Sequence, residues 1–114
     1  MIKMIYGKKI DVEIVGAYDC KYYSFKDVCD LLDFDGKERT QLGRKIAGDW
    51  TIKIPFKTKN GGIKEKTYCH IYAVKYLIGQ SNRKDKKSIE RSFCRENSGK
   101  GLSFIEKIKN FLRG

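Results

Sequence analysis

Arg39, Gln41 and Arg44 lie within one short segment and carry donors suited to base edges. Arginine can bind guanine bidentately, and glutamine can do the same with adenine. Lys37, Thr40 and Lys45 surround them as further donors. A second group, Lys53, Lys57, Lys59, Asn60, Lys64 and Lys66, and a third, Arg83, Lys84, Lys86 and Lys87, suit phosphates, which fix register without reading sequence. The chemistry this implies is binding to a nucleic acid, with double-stranded DNA the expected partner.

Catalysis has thinner support. A zinc site would have to draw on Cys20, Cys29, Cys69, His70 and Cys94, yet no C-x-x-C pair is present, and neighbours such as Cys69 and His70 point to opposite faces of a strand. Nucleophilic catalysis would rest on His70, the one histidine. Asp27, Asp30, Asp33 and Asp35 could suggest a divalent-metal nuclease, but helix-start roles for Asp27 and Asp35 and a solvated face for the other two explain them better. Gly99-Lys100-Gly101 lacks the spacing of a phosphate-binding loop. Tyr18, Tyr22, Tyr23 and Tyr68 could stack on single-stranded bases, although their strand positions favour the core or its rim. The expectation is a protein without catalytic residues, metal or cofactor.

Charge placement points the same way. The 114 residues carry a formal net charge of +11, divided into −2 over residues 1–36 and +13 over residues 37–114. Neutralising phosphates releases counterions, so a segregated basic region gains affinity for polyanions without specific chemistry. The four cysteines are widely spaced and no apolar leader-like stretch is present, which implies reduced thiols and an intracellular setting. No apolar run approaches the roughly 18 residues of a membrane span.

These residues need a scaffold, and the pattern supplies an α+β one. Ile10, Val12 and Ile14 alternate with polar residues as in a half-buried strand, with turns expected at Gly7-Lys8-Lys9 and Ala17-Tyr18-Asp19, and Lys21-Tyr22-Tyr23 as a further strand. Ser24 is a helix cap, and Phe25, Val28, Leu31 and Leu32 gather on one face. After a turn at residues 33–36, Asp35 and Glu38 form a capping box for a second helix in which Leu42 and Ile46 face inward. Two such helices match a helix-turn-helix. Trp50 to Ile54 and Ile63 to His70 flank Asn60-Gly61, whose tolerance of positive φ predicts a hairpin, basic enough to serve as a wing; Pro55 limits its first strand or places it on an edge. The predicted helix at residues 71–79 is apolar almost all round and reads as buried, and the next, about 85–96, turns Ile89 and Phe93 inward. Residues 1–96 form the expected DNA-binding domain. Residues 97–114 supply a linker and an amphipathic helix whose stripe of Phe104, Ile105, Ile108, Phe111 and Leu112 suits a homodimer or partner contact.

Tyr22-Tyr23-Ser24-Phe25-Lys26-Asp27-Val28-Cys29-Asp30-Leu31-Leu32-Asp33-Phe34 resembles the first block of the Bro-N domain of baculovirus repeated proteins and prophage antirepressors, which is similar in style to the KilA-N domain. Lys66-Thr67-Tyr68, Ile71-Tyr72, Leu77-Ile78 and Ser81-Asn82-Arg83-Lys84 resemble its second block. Asp33 stands where that family usually has Gly, and Phe93 where Trp is common. The resemblance implies a DNA-binding module of a viral or prophage regulator, and it carries no catalytic residues. An antirepressor-type module that binds a host or phage regulator through the C-terminal stripe is the main alternative, and a small metal-dependent nuclease a lesser one.

Overall fold

The computed structural model describes residues 1–16, 20–48 and 50–97. Its strands are β1 (Ile2–Ile5), β2 (Lys8–Val15), β3 (Cys20–Ser24), β4 (Thr51–Lys57) and β5 (Ile63–His70); its helices are α1 (Phe25–Leu31), α2 (Gly36–Ile46), α3 (Ile71–Gln80) and α4, covering residues 86–97. All five strands form one antiparallel sheet in the order β1-β2-β3-β5-β4. The architecture is therefore α+β.

Period-two burial places Ile10, Val12, Tyr23 and Cys69 on the core face of the sheet. Val28 and Leu31 of α1, Val74 and Leu77 of α3, and Ile89 and Phe93 of α4 complete the same core. Phe93 meets Tyr23 edge-on, with ring centroids 5.4 Å apart. Lys21 pairs with Glu96 at 3.3 Å, so α4 is fastened to β3 at its polar rim as well. Burial raises the thiols of Cys29 and Cys69 to about 12, which keeps them protonated and unreactive at neutral pH. No helix among the described residues is long and apolar enough to cross a membrane.

Local signals account for the helix starts. The Ser24 hydroxyl accepts from the Asp27 amide, and Asp35 and Glu38 make a reciprocal capping box, with Asp35 Oδ1 accepting from the Glu38 amide at 2.7 Å. Asp27 does more than begin a helix. Its Oδ2 accepts from the Asp11 amide at 2.9 Å and ties α1 to β2. α1 ends in a Schellman arrangement: the Phe34 amide donates to the Cys29 carbonyl, the Asp33 amide donates to the Asp30 carbonyl, and Asp33 takes φ 61°.

Three expectations from the sequence are corrected. Lys8 and Lys9 belong to β2, and the turn before it is the pair Tyr6-Gly7, with φ of 51° and 76°, which closes a two-residue hairpin between Ile5 and Lys8. At the β4–β5 connection only Gly61 has positive φ; the loop is longer, held by bonds from the Thr58 amide to the Gly62 carbonyl and from the Gly61 amide to the Thr58 carbonyl. The third correction concerns α3, which is not covered on every side. Tyr72 is 57% exposed, while Ile71, Ala73, Val74, Leu77 and Ile78 are buried. Pro55 lies inside β4, an edge strand, where its missing N–H interrupts no ladder.

Candidate nucleic-acid interface

α2 buries Leu42 and Ile46, and at about 100° per residue this turns Lys37 and Arg44 outward, with Thr40 and Gln41 on the two shoulders. Lys37, Thr40, Gln41, Arg44 and Lys45 are all exposed. None of the cations among these five has an ion pair among the described residues. Thr40 is the exception in availability, since its hydroxyl donates to the Gly36 carbonyl at 2.9 Å. Carboxylates gather at the N-terminal end of α2, where Asp35 and Glu38 are exposed and Asp30 lies 3.7 Å from Arg39. The C-terminal half therefore carries the positive field.

β4 and β5 extend beyond the point where β3 stops pairing, at Ser24↔Tyr68. Past that point both faces of the hairpin are open: Pro55, Phe56, Lys57, Lys59, Asn60, Ile63, Lys64 and Glu65 are exposed. Lys53 is exposed nearer the base. Ile63 is 72% and Phe56 45% exposed, so this arm is no part of the core. It is fastened at the base, where the Tyr68 hydroxyl donates to Asp11 Oδ2 at 2.6 Å and the Lys66 ammonium donates to the same oxygen at 2.9 Å. Partial burial opposes ionisation of Asp11, but these donors outweigh it and hold the carboxyl at about 2.

Between α2 and β5 lies an open cleft of about 380 Å³, lined by Phe25 and Lys26 of α1, Arg39, Thr40 and Gly43 of α2, and Glu65, Lys66 and Thr67 of β5. Of the expected donors, Arg39 and Thr40 of the helix and Lys66 of the hairpin thus line one depression. Lys26 enters from sequence only within the Bro-N-like block and not as a donor. It sits in a helix that looks like an anchor, and only its tertiary position beside β5 brings it to the donors.

The third basic group is divided in its surroundings. Arg83 donates Nε and Nη2 to the two Asp85 oxygens, each at 2.9 Å, and Nη1 to the Leu31 carbonyl at 2.7 Å and to Asp33 at 3.3 Å. Tyr6 adds its hydroxyl to Asp85 at 2.7 Å. Arg83, expected to contact nucleic acid, spends its donors within the domain: they close the end of α1 onto the start of α4, and its hydrogen bonds with those of Tyr6 hold Asp85 at about 2. Lys66 is likewise engaged by Asp11, and Lys86 reaches the Gly79 carbonyl at 3.4 Å. Lys84 and Lys87 remain exposed.

The groups considered for catalysis are dispersed. Asp27 bonds to β2, Asp35 caps α2, Asp30 faces Arg39 and Asp33 faces Arg83. No group of three metal-ligating side chains occurs among the described residues. His70 caps α3, its Nδ1 accepting from the Tyr72 amide at 3.3 Å, and burial lowers its pKa. Tyr23 and Tyr68 are buried, and Tyr22 packs edge-on against His70 at 5.7 Å. Phe104, Ile105, Ile108, Phe111 and Leu112 lie outside the described residues, as does Tyr18. Compared with family models, with curated proteins and with solved structures, the chain has no match.

Proposed function

We propose that this domain binds duplex DNA and does so without catalysing a reaction, with α1 and α2 acting as a helix-turn-helix and the β4–β5 hairpin as a basic wing. The observation that carries this is that two neighbouring elements present exposed cations with no ion pair among the described residues, Arg44 and Lys45 on α2 and Lys57, Lys59 and Lys64 on the hairpin, with a cleft lined by Arg39, Thr40, Glu65 and Lys66 between the two elements. A helix with its side chains is about 10–12 Å across and fits a major groove about 12 Å wide. The acids at the N-terminal end of α2 repel phosphates, so the C-terminal half leads, with Gln41 and Arg44 at base edges. Hairpin lysines then reach the flanking backbone.

The Bro-N resemblance supports the same function. Its usual Gly before the aromatic falls at Asp33, and Asp33 has φ 61°, a left-handed conformation that Gly adopts without strain and Asp tolerates better than most residues. A viral or prophage regulator is the kind of protein this resemblance implies. The test is fluorescence anisotropy with a labelled duplex of mixed sequence. Gln41→Ala combined with Arg44→Ala should weaken binding about tenfold or more at moderate salt, and the wild-type log-log salt slope should be steep. Wild-type affinity in that double variant would refute α2 as the reading element.

A further inference from the structure

The cleft between α2 and β5 holds chemistry that base reading does not use. Three cations border it, and two of them are already shared: Arg39 lies 3.7 Å from Asp30, and Lys66 is 2.9 Å from Asp11. The third, Lys26, is exposed and has no partner among the described residues. Glu65 on the hairpin side is the single carboxylate in the lining itself, against three cations. Arginine has five N–H donors and lysine three, so Arg39 and Lys66 each keep donors beyond those their carboxylates take.

Shape restricts what could sit there. Gly43 presents no side chain, and the floor beneath it is the Phe25 ring, 3.4 Å from where a Cβ would stand. A wide, shallow space with cations on three elements and an apolar floor suits an anion that stays partly in water. It does not suit an enclosed small molecule. The cleft also runs between the two elements that flank it on the outer surface. A duplex with one groove on α2 and its backbone under the hairpin must carry a sugar-phosphate strand between them.

We propose that this cleft seats a backbone phosphodiester of the bound duplex, with Lys26 as its uncommitted cation and Arg39 and Lys66 as flanking donors. This rests on the DNA-binding function above, and it moves Arg39 from base edges to the backbone. The assignment makes Lys26 a binding residue although it lies in the anchoring helix.

The test uses the full chain and a labelled duplex of about twenty base pairs, titrated across salt concentrations. Lys26→Gln should lower the log-log slope by about 0.9 and weaken binding roughly five- to tenfold near 0.1 M salt. Lys75→Gln, which removes an exposed charge from α3, is the matched control and should change neither. Duplex should also shift the Gly43 and Thr67 amide resonances, while inorganic phosphate at equal phosphate concentration should not. A wild-type slope for Lys26→Gln, in a protein whose hairpin variants do lose slope, overturns the cleft and leaves the DNA function standing. Equal losses in Lys26→Gln and Lys75→Gln overturn it too, by reducing it to bulk charge. Saturation by inorganic phosphate removes the duplex as the occupant. Failure of the wild-type chain to bind duplex at low salt sinks both proposals.

Discussion

The hairpin arm and the segment from Arg83 to Lys87 have similar composition and different surroundings. Lys57, Lys59 and Lys64 stand on a ribbon open on both faces, with Glu65 as the only acid along it. Arg83 lies among Asp33, Asp85 and the Leu31 carbonyl, and every one of its nitrogens donates within the domain. The difference is set by Asp85, two residues on, and by Asp33 and the Leu31 carbonyl, fifty residues or more away in sequence. A basic residue beside a folded-in acid is already neutralised, and recruiting it to a phosphate would cost the pair it leaves. Positive charge along a chain therefore marks a ligand surface only where the fold leaves it unmatched.

That contrast can be broken first at the hairpin, where the effect on binding should be largest. Replacing Lys57, Lys59 and Lys64 together by Gln should lower the salt slope by about 2.7 and the affinity at 0.1 M salt on the order of a hundredfold. Thermal stability should barely move, because exposed substitutions of this kind stay within about 0.5 kcal/mol. Anisotropy titrations and a melting curve measure both, and a large fall in melting temperature would show that the arm belongs to the folded core. Arg83→Ala should do the reverse. It leaves the Leu31 carbonyl without its donor and two carboxylates without their cation, so the melting temperature should fall by about 5 °C while the folded protein binds duplex within about twofold of wild type. Lost affinity with an unchanged melt would return Arg83 to the interface.

Local chemistry was legible in the sequence, and distant pairing was not. Ser24 and Asp35 as caps, Leu42 and Ile46 as the inner residues of α2, β5 from Ile63 to His70, and the inward pair Ile89 and Phe93 all follow from neighbours within about one helical turn or one strand repeat. The Arg83–Leu31 and Lys66–Asp11 contacts span more than fifty residues and leave no periodic trace. Tyr6 failed as a turn signal for another reason. Its left-handed conformation is unfavourable for an aromatic residue, and only the pairing of β1 with β2 imposes it. At the candidate interface the exposed face of α2 was readable, whereas the cleft needs β5 beside α2 and so exists only in the tertiary structure.

Asp11 sharpens the comparison at intermediate size, because it is the acid that neutralises Lys66 and fixes the base of the arm. Its folded pKa of about 2 lies below the ordinary 3.8. The unfolded chain therefore binds more protons at low pH, and the stabilisation is complete above about pH 4 and lost as pH falls toward 2. Asp11→Asn should destabilise the domain by about 1–2 kcal/mol at neutral pH and flatten that part of the acid limb, as urea midpoints across pH would record. An unaltered acid limb would mean that Lys66 and Tyr68 gain little from Asp11.

Gly43→Ala is the smallest expected change and bears on the open side of the comparison. A Cβ there would stand 3.4 Å from Cε1 and Cζ of Phe25, an ordinary van der Waals contact, and no backbone atom opposes it. Alanine is favoured over glycine inside a helix by about 1 kcal/mol, so the variant should gain roughly 0.5–1 kcal/mol in urea unfolding. Since neither packing nor backbone conformation calls for a glycine here, a loss of duplex affinity greater than about threefold in this more stable protein would tie Gly43 to ligand clearance in the cleft. Unchanged affinity would confine the phosphate to the outer rim, at Lys26 and Lys66. Destabilisation instead would mean that the Phe25 ring cannot yield, making Gly43 a packing requirement between α1 and α2, set from within the fold like Arg83.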